Sequence, residues 1–244
     1  MPPSSNAMRA RILDASWVRG LSESQLTRVD RETQVVHFVK GSVVCREGVP
    51  ALHWVGVLDG MVKVDSMTPE GRVTTFISAS SGGWLGEGSL LKREARHYEV
   101  VTLRDSWIAL MPLQTFDWLY ETSLGFNHFL VHQLNARLGH FVALVETGRS
   151  QTTTARVALR IAQLLDPAVC SATSNVLRIS QEEVARLCGL SRQIANRALH
   201  ALQEAGLVRM TYGAIEVLNV DGMKDYGKSQ LAKGQFARRH GGKF

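Results

Sequence analysis

The spacing of hydrophobic and polar positions divides the 244-residue chain into three textures. After a short N-terminal helix, Ser22-Glu23-Ser24-Gln25 forms a capping box that opens a second one. From Thr33 to Leu110 come short runs rich in Val, Ile, Phe and Trp, broken by glycines at 41, 48, 56, 60, 71, 82, 83, 86 and 88. Turn signals every ~8–12 residues predict a compact barrel or jelly roll. Within it, Val57 to Val64 reads as two strands joined by an Asp59-Gly60 hairpin turn. Helical spacing returns at Pro112, a residue suited to a helix's first turn.

A longer helix is predicted from Leu124 to about Glu146. Leu124, Asn127, Val131, Leu134, Leu138, Phe141 and Val145 recur at spacings of three and four, an a/d heptad seam. A second stripe holds Phe126, Leu130, Gln133, Arg137 and Leu144. Two stripes suit a helix that packs on its own barrel and also on a parallel twin, with Asn127 setting the register. Gly148–Thr154 is small and polar and reads as a hinge between domains. A further helix carries Val157, Ile161 and Leu164 on one face, and Pro167 follows its end.

Chemistry concentrates in Ile179–Val217. Ser180 and Glu183 form a capping box, and a short helix with Val184, Ala185 and Leu187 follows. Gly189 supplies a tight turn, and Ser191 caps a second helix running to about Glu204. Ala195, Ala198, Leu199 and Leu202 form its buried face at i, i+3, i+4, i+7. Gln193, Asn196, Arg197 and His200 share that spacing on the opposite face, with Arg192 beside them. This is a helix-turn-helix with a recognition helix: Arg can pair bidentately with guanine, and Gln or Asn with adenine. Leu207-Val208-Arg209 and Ile215-Glu216-Val217 flank Thr211-Tyr212-Gly213-Ala214 as a β-hairpin wing. The candidate DNA-contacting set is Ser180, Gln181, Ser191, Arg192, Gln193, Asn196, Arg197 and His200.

Charge agrees with that placement. Of 28 Lys/Arg and 22 Asp/Glu, residues 1–147 hold 14 and 15, a net −1, and residues 148–244 hold 14 and 7, a net +7. A polyanionic partner is expected there. The tail from Lys224 to Phe244 is rich in Gly, Lys and Arg and is expected to be largely disordered from about Gly227 on.

The order of these elements resembles the CRP/FNR family of transcription regulators over roughly Val35 to Asp221. The markers are Gly41 and Gly48, Asp59-Gly60, Gly83-Trp84-Leu85-Gly86-Glu87, Arg96, and the run Ile179-Ser180-Gln181-Glu182-Glu183-Val184-Ala185-Arg186-Leu187-Cys188-Gly189-Leu190-Ser191-Arg192. The resemblance implies an α+β chain: an N-terminal jelly-roll-like β-roll sensor, a long dimerisation helix and a C-terminal winged helix-turn-helix. The expected boundaries are 22–121, 122–147 and 148–222, with a basic tail over 223–244. It also implies that Arg192, Gln193 and Arg197 occupy base-reading positions, that RNA polymerase is a partner, and that the target is double-stranded DNA with a two-fold-related site. Many relatives carry Glu where Gln193 stands. Gln both donates and accepts, so the half-site is expected to differ at that base.

The sensor departs from the cyclic-AMP-binding members. Their phosphate cassette follows the Gly-Glu pair with Arg-Ser-Ala. Gly86, Glu87 and Arg96 match, but His97 and Tyr98 replace the small residues, and Tyr narrows the pocket. Phe141 and Val142 fall where those members use hydroxyl residues to hold adenine. Cyclic AMP is therefore not the expected effector. An apolar or aromatic small molecule, a different nucleotide, or no ligand with an Arg96–Glu87 ion pair in an empty cassette all remain open.

No cofactor or metal is expected. Iron–sulfur members need clustered N-terminal cysteines, whereas Cys45, Cys170 and Cys188 are widely spaced. Haem would need axial ligands such as His37, His53 or His97, without any attachment motif. His128 and His132 on the long helix read as a surface pair. No nucleophile constellation, Walker loop or dinucleotide fingerprint points to an enzyme. No apolar run of membrane-spanning length or signal peptide is apparent, so a reducing cytoplasm is expected. The alternative function is a small-ligand module acting mainly through protein contacts.

Overall fold

A computed structural model describes residues 4–67, 73–150, 152–166 and 175–226. The expected tail from Gly227 on, Cys170, Pro167 and Gly71 lie outside the described residues. Two units divide the chain, one through Ala136 and one from Arg137.

The first unit opens with α1 (Ser5–Ala10), two 3-10 turns (Arg11–Asp14 and Ser16–Gly20) and α2 (Glu23–Glu32). The strands are β1 (Gln34–Phe38), β2 (Val43–Cys45), β3 (His53–Asp59), β4 (Met61–Met67), β5 (Val73–Ser80) and β6 (Trp84–Leu85). After α3 (Glu87–Lys92) come β7 (Glu99–Thr102), β8 (Ser106–Pro112), α4 (Leu113–Thr122) and the start of α5 (Leu124–Ser150). Two antiparallel four-stranded sheets, β1-β8-β3-β6 and β2-β7-β4-β5, make the β-roll. Val55, Val57, Val62, Val64, Val100 and Ile108 fill its interior, because alternate residues of each strand face inward.

Asp59-Gly60 is not a hairpin turn. β3 and β4 lie in different sheets and do not pair, so the chain crosses a corner there. Gly60 has φ +105°, and a Cβ on it would overlap the Ser106 hydroxyl, so the corner accepts only glycine. The same positive φ serves a hairpin, which is why the dipeptide alone misleads.

A second core fastens α5 to the roll. Trp17 meets Trp84 edge-on at 5.0 Å and Phe126 at 5.7 Å, while Trp54 lies 5.4 Å from Phe126. Phe116 of α4 adds a T-shaped contact at 5.5 Å. Such edge-to-face pairs contribute about 0.5–1.5 kcal/mol each beyond their buried area. Gly20 and Gly125 allow the entry turn to touch α5: a Cβ on Gly125 would lie 3.1 Å from the Gly20 Cα.

The second unit contains the rest of α5, α6 (Thr153–Gln163), β9 (Val176–Leu177), α7 (Gln181–Cys188), α8 (Arg192–Glu204), β10 (Val208–Thr211) and β11 (Ala214–Val217). The wing is a three-stranded sheet, β10-β11-β9, whose third strand gave no clear sequence signal. A helical turn over residues 220–226 follows, with Met223 fully buried, so ordered structure passes the expected boundary at 222. Helix α5 runs four residues beyond Glu146, and the Thr152 hydroxyl caps α6 by accepting from the Ala155 amide at 3.3 Å. The stretch expected to be a hinge is therefore mostly helix: a helix-interior glycine such as Gly148 costs only about 1 kcal/mol. Among the described residues no helix is long and apolar enough to cross a membrane.

Glu32 ties α2 to α4. Its carboxylate accepts from the Thr115 hydroxyl at 2.6 Å, from Arg31 at 2.8 Å and from Arg28 at 2.9 Å. These bonds hold its pKa down at about 2 against an ordinary 4.5. A depressed carboxyl contributes stability above its unfolded pKa and loses it as pH falls toward the folded one. After discounting for solvent screening, Glu32→Gln should cost about 1 kcal/mol at pH 7, and the difference should vanish toward pH 2 in thermal melts.

Candidate nucleic-acid interface and sensor cassette

Two capped helices position the candidate reading surface. Ser180 Oγ accepts from the Glu183 amide at 3.2 Å, and Glu183 accepts from the Ser180 amide at 2.6 Å. Gly189, with φ +62°, ends α7 in a left-handed cap. Ser191 then caps α8, accepting from the Ile194 amide at 3.3 Å. Ser180 and Ser191 thus hold helix starts. Ala195, Ala198, Leu199 and Leu202 are buried, so the opposite face must point outward.

That outward face carries Arg192, Gln193, Arg197 and His200, all exposed. Among the described residues none of the four has a hydrogen-bond or ion-pair partner. Asn196 differs: it is half-buried, and its amide donates to Gln181 Oε1 at 2.7 Å. Gln181 Nε2 reaches the Met210 sulfur at 3.8 Å, and Gln203 accepts from the Met210 amide at 2.8 Å. Gln181 and Asn196 therefore brace α7, α8 and the wing together, with part of their hydrogen-bonding capacity already used. Sequence spacing puts Asn196 in the polar stripe but cannot reveal its partner. Ile194 on α8 and Tyr212 at the wing tip are also exposed. Neither stands out from polarity patterns, because both are apolar or aromatic.

In the β-roll, Gly86 has φ +98° and starts α3, a helix the strand-rich texture concealed. A Cβ there would sit 2.5 Å from Arg96 Nη1, so glycine lets the guanidinium approach. Arg96 is 3% exposed and Glu87 is 1% exposed. Arg96 Nη2 donates to the His53 carbonyl at 2.6 Å, whereas Nη1 has no partner among the described residues. Glu87 accepts from the Trp54 indole at 3.4 Å. Burial, and then the nearby Arg96 charge, push the His53 pKa down. Burial pushes the Cys45 thiol up, offset in part by Arg96. His53, Cys45 and Trp54 around Arg96 were not candidates, because they lie far away in sequence. A buried guanidinium N–H without a partner is costly and suits an anionic or acceptor group.

The other cassette residues separate. Tyr98 is half-buried and packs against the roll's aliphatic interior. His97 points outward with 75% of its side chain exposed, 3.5 Å from Glu94, which corrects its expected place in the pocket. It lies in the bend between Arg96 and β7, outside the strand ladder. Phe141 and Val142 are exposed on α5. So are Leu124, Val131, Leu134, Leu138 and Val145, the apolar members of the expected seam. Asn127 Nδ2 donates to the Tyr120 carbonyl at 2.7 Å, while its Oδ1 has no partner among the described residues.

Residues 35–123 match the cyclic nucleotide-binding domain, and residues 155–226 match the Crp-like helix-turn-helix domain. The chain is 26% identical to the transcriptional regulator SdrP of Thermus thermophilus over 204 residues, covering 82% of this chain and 96% of that one. It is 25% identical over 211 residues to the CRP-like cAMP-activated global transcriptional regulator of Mycobacterium tuberculosis, covering 80% and 89%. The solved structure of FixK2 from Bradyrhizobium japonicum superposes with a TM-score of 0.63 at 17% identity, covering 79% of this chain and 96% of that one.

Two substitutions on α8 separate folding from recognition. Leu199→Ala should cost about 2–5 kcal/mol in denaturant unfolding, because it leaves a cavity beneath the helix. Gln193→Ala should change stability by less than about 0.5 kcal/mol, since no described residue holds that side chain.

Proposed function

Because the chain belongs to the CRP/FNR family of DNA-binding transcription regulators, we propose that it acts as a homodimer whose paired α8 helices read a two-fold-related DNA site. The observation that carries this is the divided face of α8. Its apolar side is fully buried, while Arg192, Gln193, Arg197 and His200 are exposed and unpartnered among the described residues. Arg192 and Arg197 suit guanine edges or phosphates, Gln193 suits adenine, and Ile194 offers an apolar contact for a thymine methyl. In a dimer the two helices sit about 34 Å apart and face successive major grooves. Ser180 and Ser191 act by fixing the helix starts, and Gln181 and Asn196 by holding the wing to α8.

The dimer reading is supported by the exposed apolar stripe along α5. Val131 is 64% exposed, Leu138 61% and Val145 57%, on a flank of the helix distinct from the buried Phe126 and Leu130. An apolar band of that length on one side of a helix suits a twin helix. The β-roll is the sensor in this reading, and its effector is not cyclic AMP. Tyr98 fills space toward the roll interior, and His97 faces outward where the cyclic-AMP-binding members place a phosphate-binding hydroxyl. Arg96 remains as the one buried cation of the cassette, suited to a single acidic or acceptor group. Effector binding would shift the population between DNA-competent and incompetent arrangements, with RNA polymerase as the downstream partner and the cytoplasm as the setting.

Selection of duplexes from random sequence tests the reading. A palindromic or near-palindromic site is expected, with affinity falling steeply as salt rises and unchanged by cyclic AMP. Arg197→Ala should lose about 1–3 kcal/mol at one base pair per half-site and relax specificity only there. Unaltered sequence preference in that variant would mean that α8 does not read bases through Arg197, and strong cyclic-AMP dependence would overturn the sensor assignment.

A further inference from the structure

We propose that His200 makes DNA binding by this chain proton-linked: its imidazole takes a proton from solvent as a duplex arrives and then neutralises a phosphate beside the reading face of α8. The inference deepens the DNA-binding proposal and rests on it, because it names a regulation of the same surface. Two observations carry it: where His200 sits, and which other groups of the second unit can change charge near neutral pH.

Gln193, Arg197, His200 and Glu204 follow one another at spacings of four, three and four, so they lie along one side of α8. All four are exposed, while Ala195, Ala198, Leu199 and Leu202 bury the other side. His200 thus shares the outward stripe with Gln193 and Arg197, and it has no hydrogen-bond or ion-pair partner among the described residues. On that stripe its charged neighbours are Arg197, one turn before it, and Glu204, one turn after it. Arg197 opposes a second positive charge there, and Glu204 favours one. Helices α6 and α7 and strand β10 pack against α8. Their charged groups are engaged elsewhere. Glu182 accepts from Arg186 at 2.5 Å, Glu183 accepts from the Ser180 amide at 2.6 Å, and Arg209 donates to Glu216 at 2.8 Å. Arg156 and Arg160 of α6 lie near Cys188.

Histidine is the side chain whose charge ordinarily changes between about pH 5 and pH 8. The described residues of the second unit hold two, His140 and His200. His140 Nε2 lies 2.6 Å from Asp166 Oδ2, and about a quarter of each side chain is exposed, so its charge is tied to an internal partner. Burial, offset in part by Arg160 and Arg156, pushes the Cys188 thiol up to about 11, so it stays neutral over that range. A polyanion brought to the outward side of α8 therefore meets one group able to respond by taking a proton. The negative potential of DNA favours the charged form of an imidazole beside a phosphate. Binding is then strengthened at low pH, and that contribution is lost as pH climbs through the bound-state value.

Affinity of the full-length protein for a selected two-fold duplex tests the inference, measured against salt at about pH 6 and about pH 8. The wild type should bind about ten-fold more tightly at pH 6. Its plot of log affinity against log salt should also steepen there by about 0.9 for each protomer, because each charged imidazole displaces one more counterion. His200→Gln is neutral at both pH values, so its affinity should stay within about two-fold across the range, with one salt slope. His200→Lys is charged at both and should bind at pH 8 about as tightly as the wild type does at pH 6. His200 is exposed, so both variants should fold with wild-type circular dichroism. A wild type whose affinity and salt slope ignore pH, or a His200→Gln variant that keeps the wild-type dependence, would overturn the inference. Failure of the DNA-binding reading itself would look different: no duplex binding by the wild type at either pH, and the inference would fall with it.

Discussion

Helix α5 carries apolar residues on two faces, and one chain can bury only one of them. Phe126 and Leu130 enter the aromatic cluster around Trp17, Trp54 and Trp84, which fixes the first turns of the helix to the β-roll. The face with Val131, Leu138 and Val145 is left in water. Fully burying a side chain of this size stabilises by about 1.5–3 kcal/mol, so a stripe of them is a strong demand for another surface. In the proposed homodimer a second α5 meets that demand, and two-fold symmetry duplicates α8 to match a two-fold-related site on DNA.

The two units use arginine in opposite ways. Arg192 and Arg197 stand in solvent on α8, where charge is cheap and a partner can approach along the groove. Arg96 is buried against Gly86 and the His53 carbonyl, and its Nη1 lacks an acceptor among the described residues. An exposed arginine contributes mainly when DNA arrives, whereas a buried one constrains the fold whether or not a ligand is bound. The roll interior is aliphatic, with Tyr98 packed against it.

Much of this was legible in the sequence because local chemistry and tertiary environment agree. The capping boxes at Ser22 and Ser180 are self-contained, so their residues alone identify the helix starts. The two faces of α8 and the two stripes of α5 follow from helical periodicity. Where the sequence misled, the deciding contact is distant. Asp59-Gly60 has the chemistry of a hairpin, yet the strands it joins take partners in different sheets. Within Gly148–Thr154, read as a hinge, α5 runs on to Ser150 and Thr152 caps the next helix, which polarity alone does not show. His97 belongs to the cassette by sequence position, but it sits in a bend before β7 with its side chain largely exposed. Asn127 and Asn196 sit in the expected stripes, and their hydrogen bonds to Tyr120 and Gln181 give them structural work that spacing cannot disclose.

Sedimentation equilibrium, with and without a selected duplex, measures the central claim directly. The wild-type chain should run at about twice its 26.9 kDa, and Leu138→Asp should run as a folded monomer with near-native circular dichroism and at least a hundred-fold weaker binding to the two-fold site. A wild-type monomer that binds the duplex at full affinity, or a Leu138→Asp variant that remains dimeric, would contradict the account.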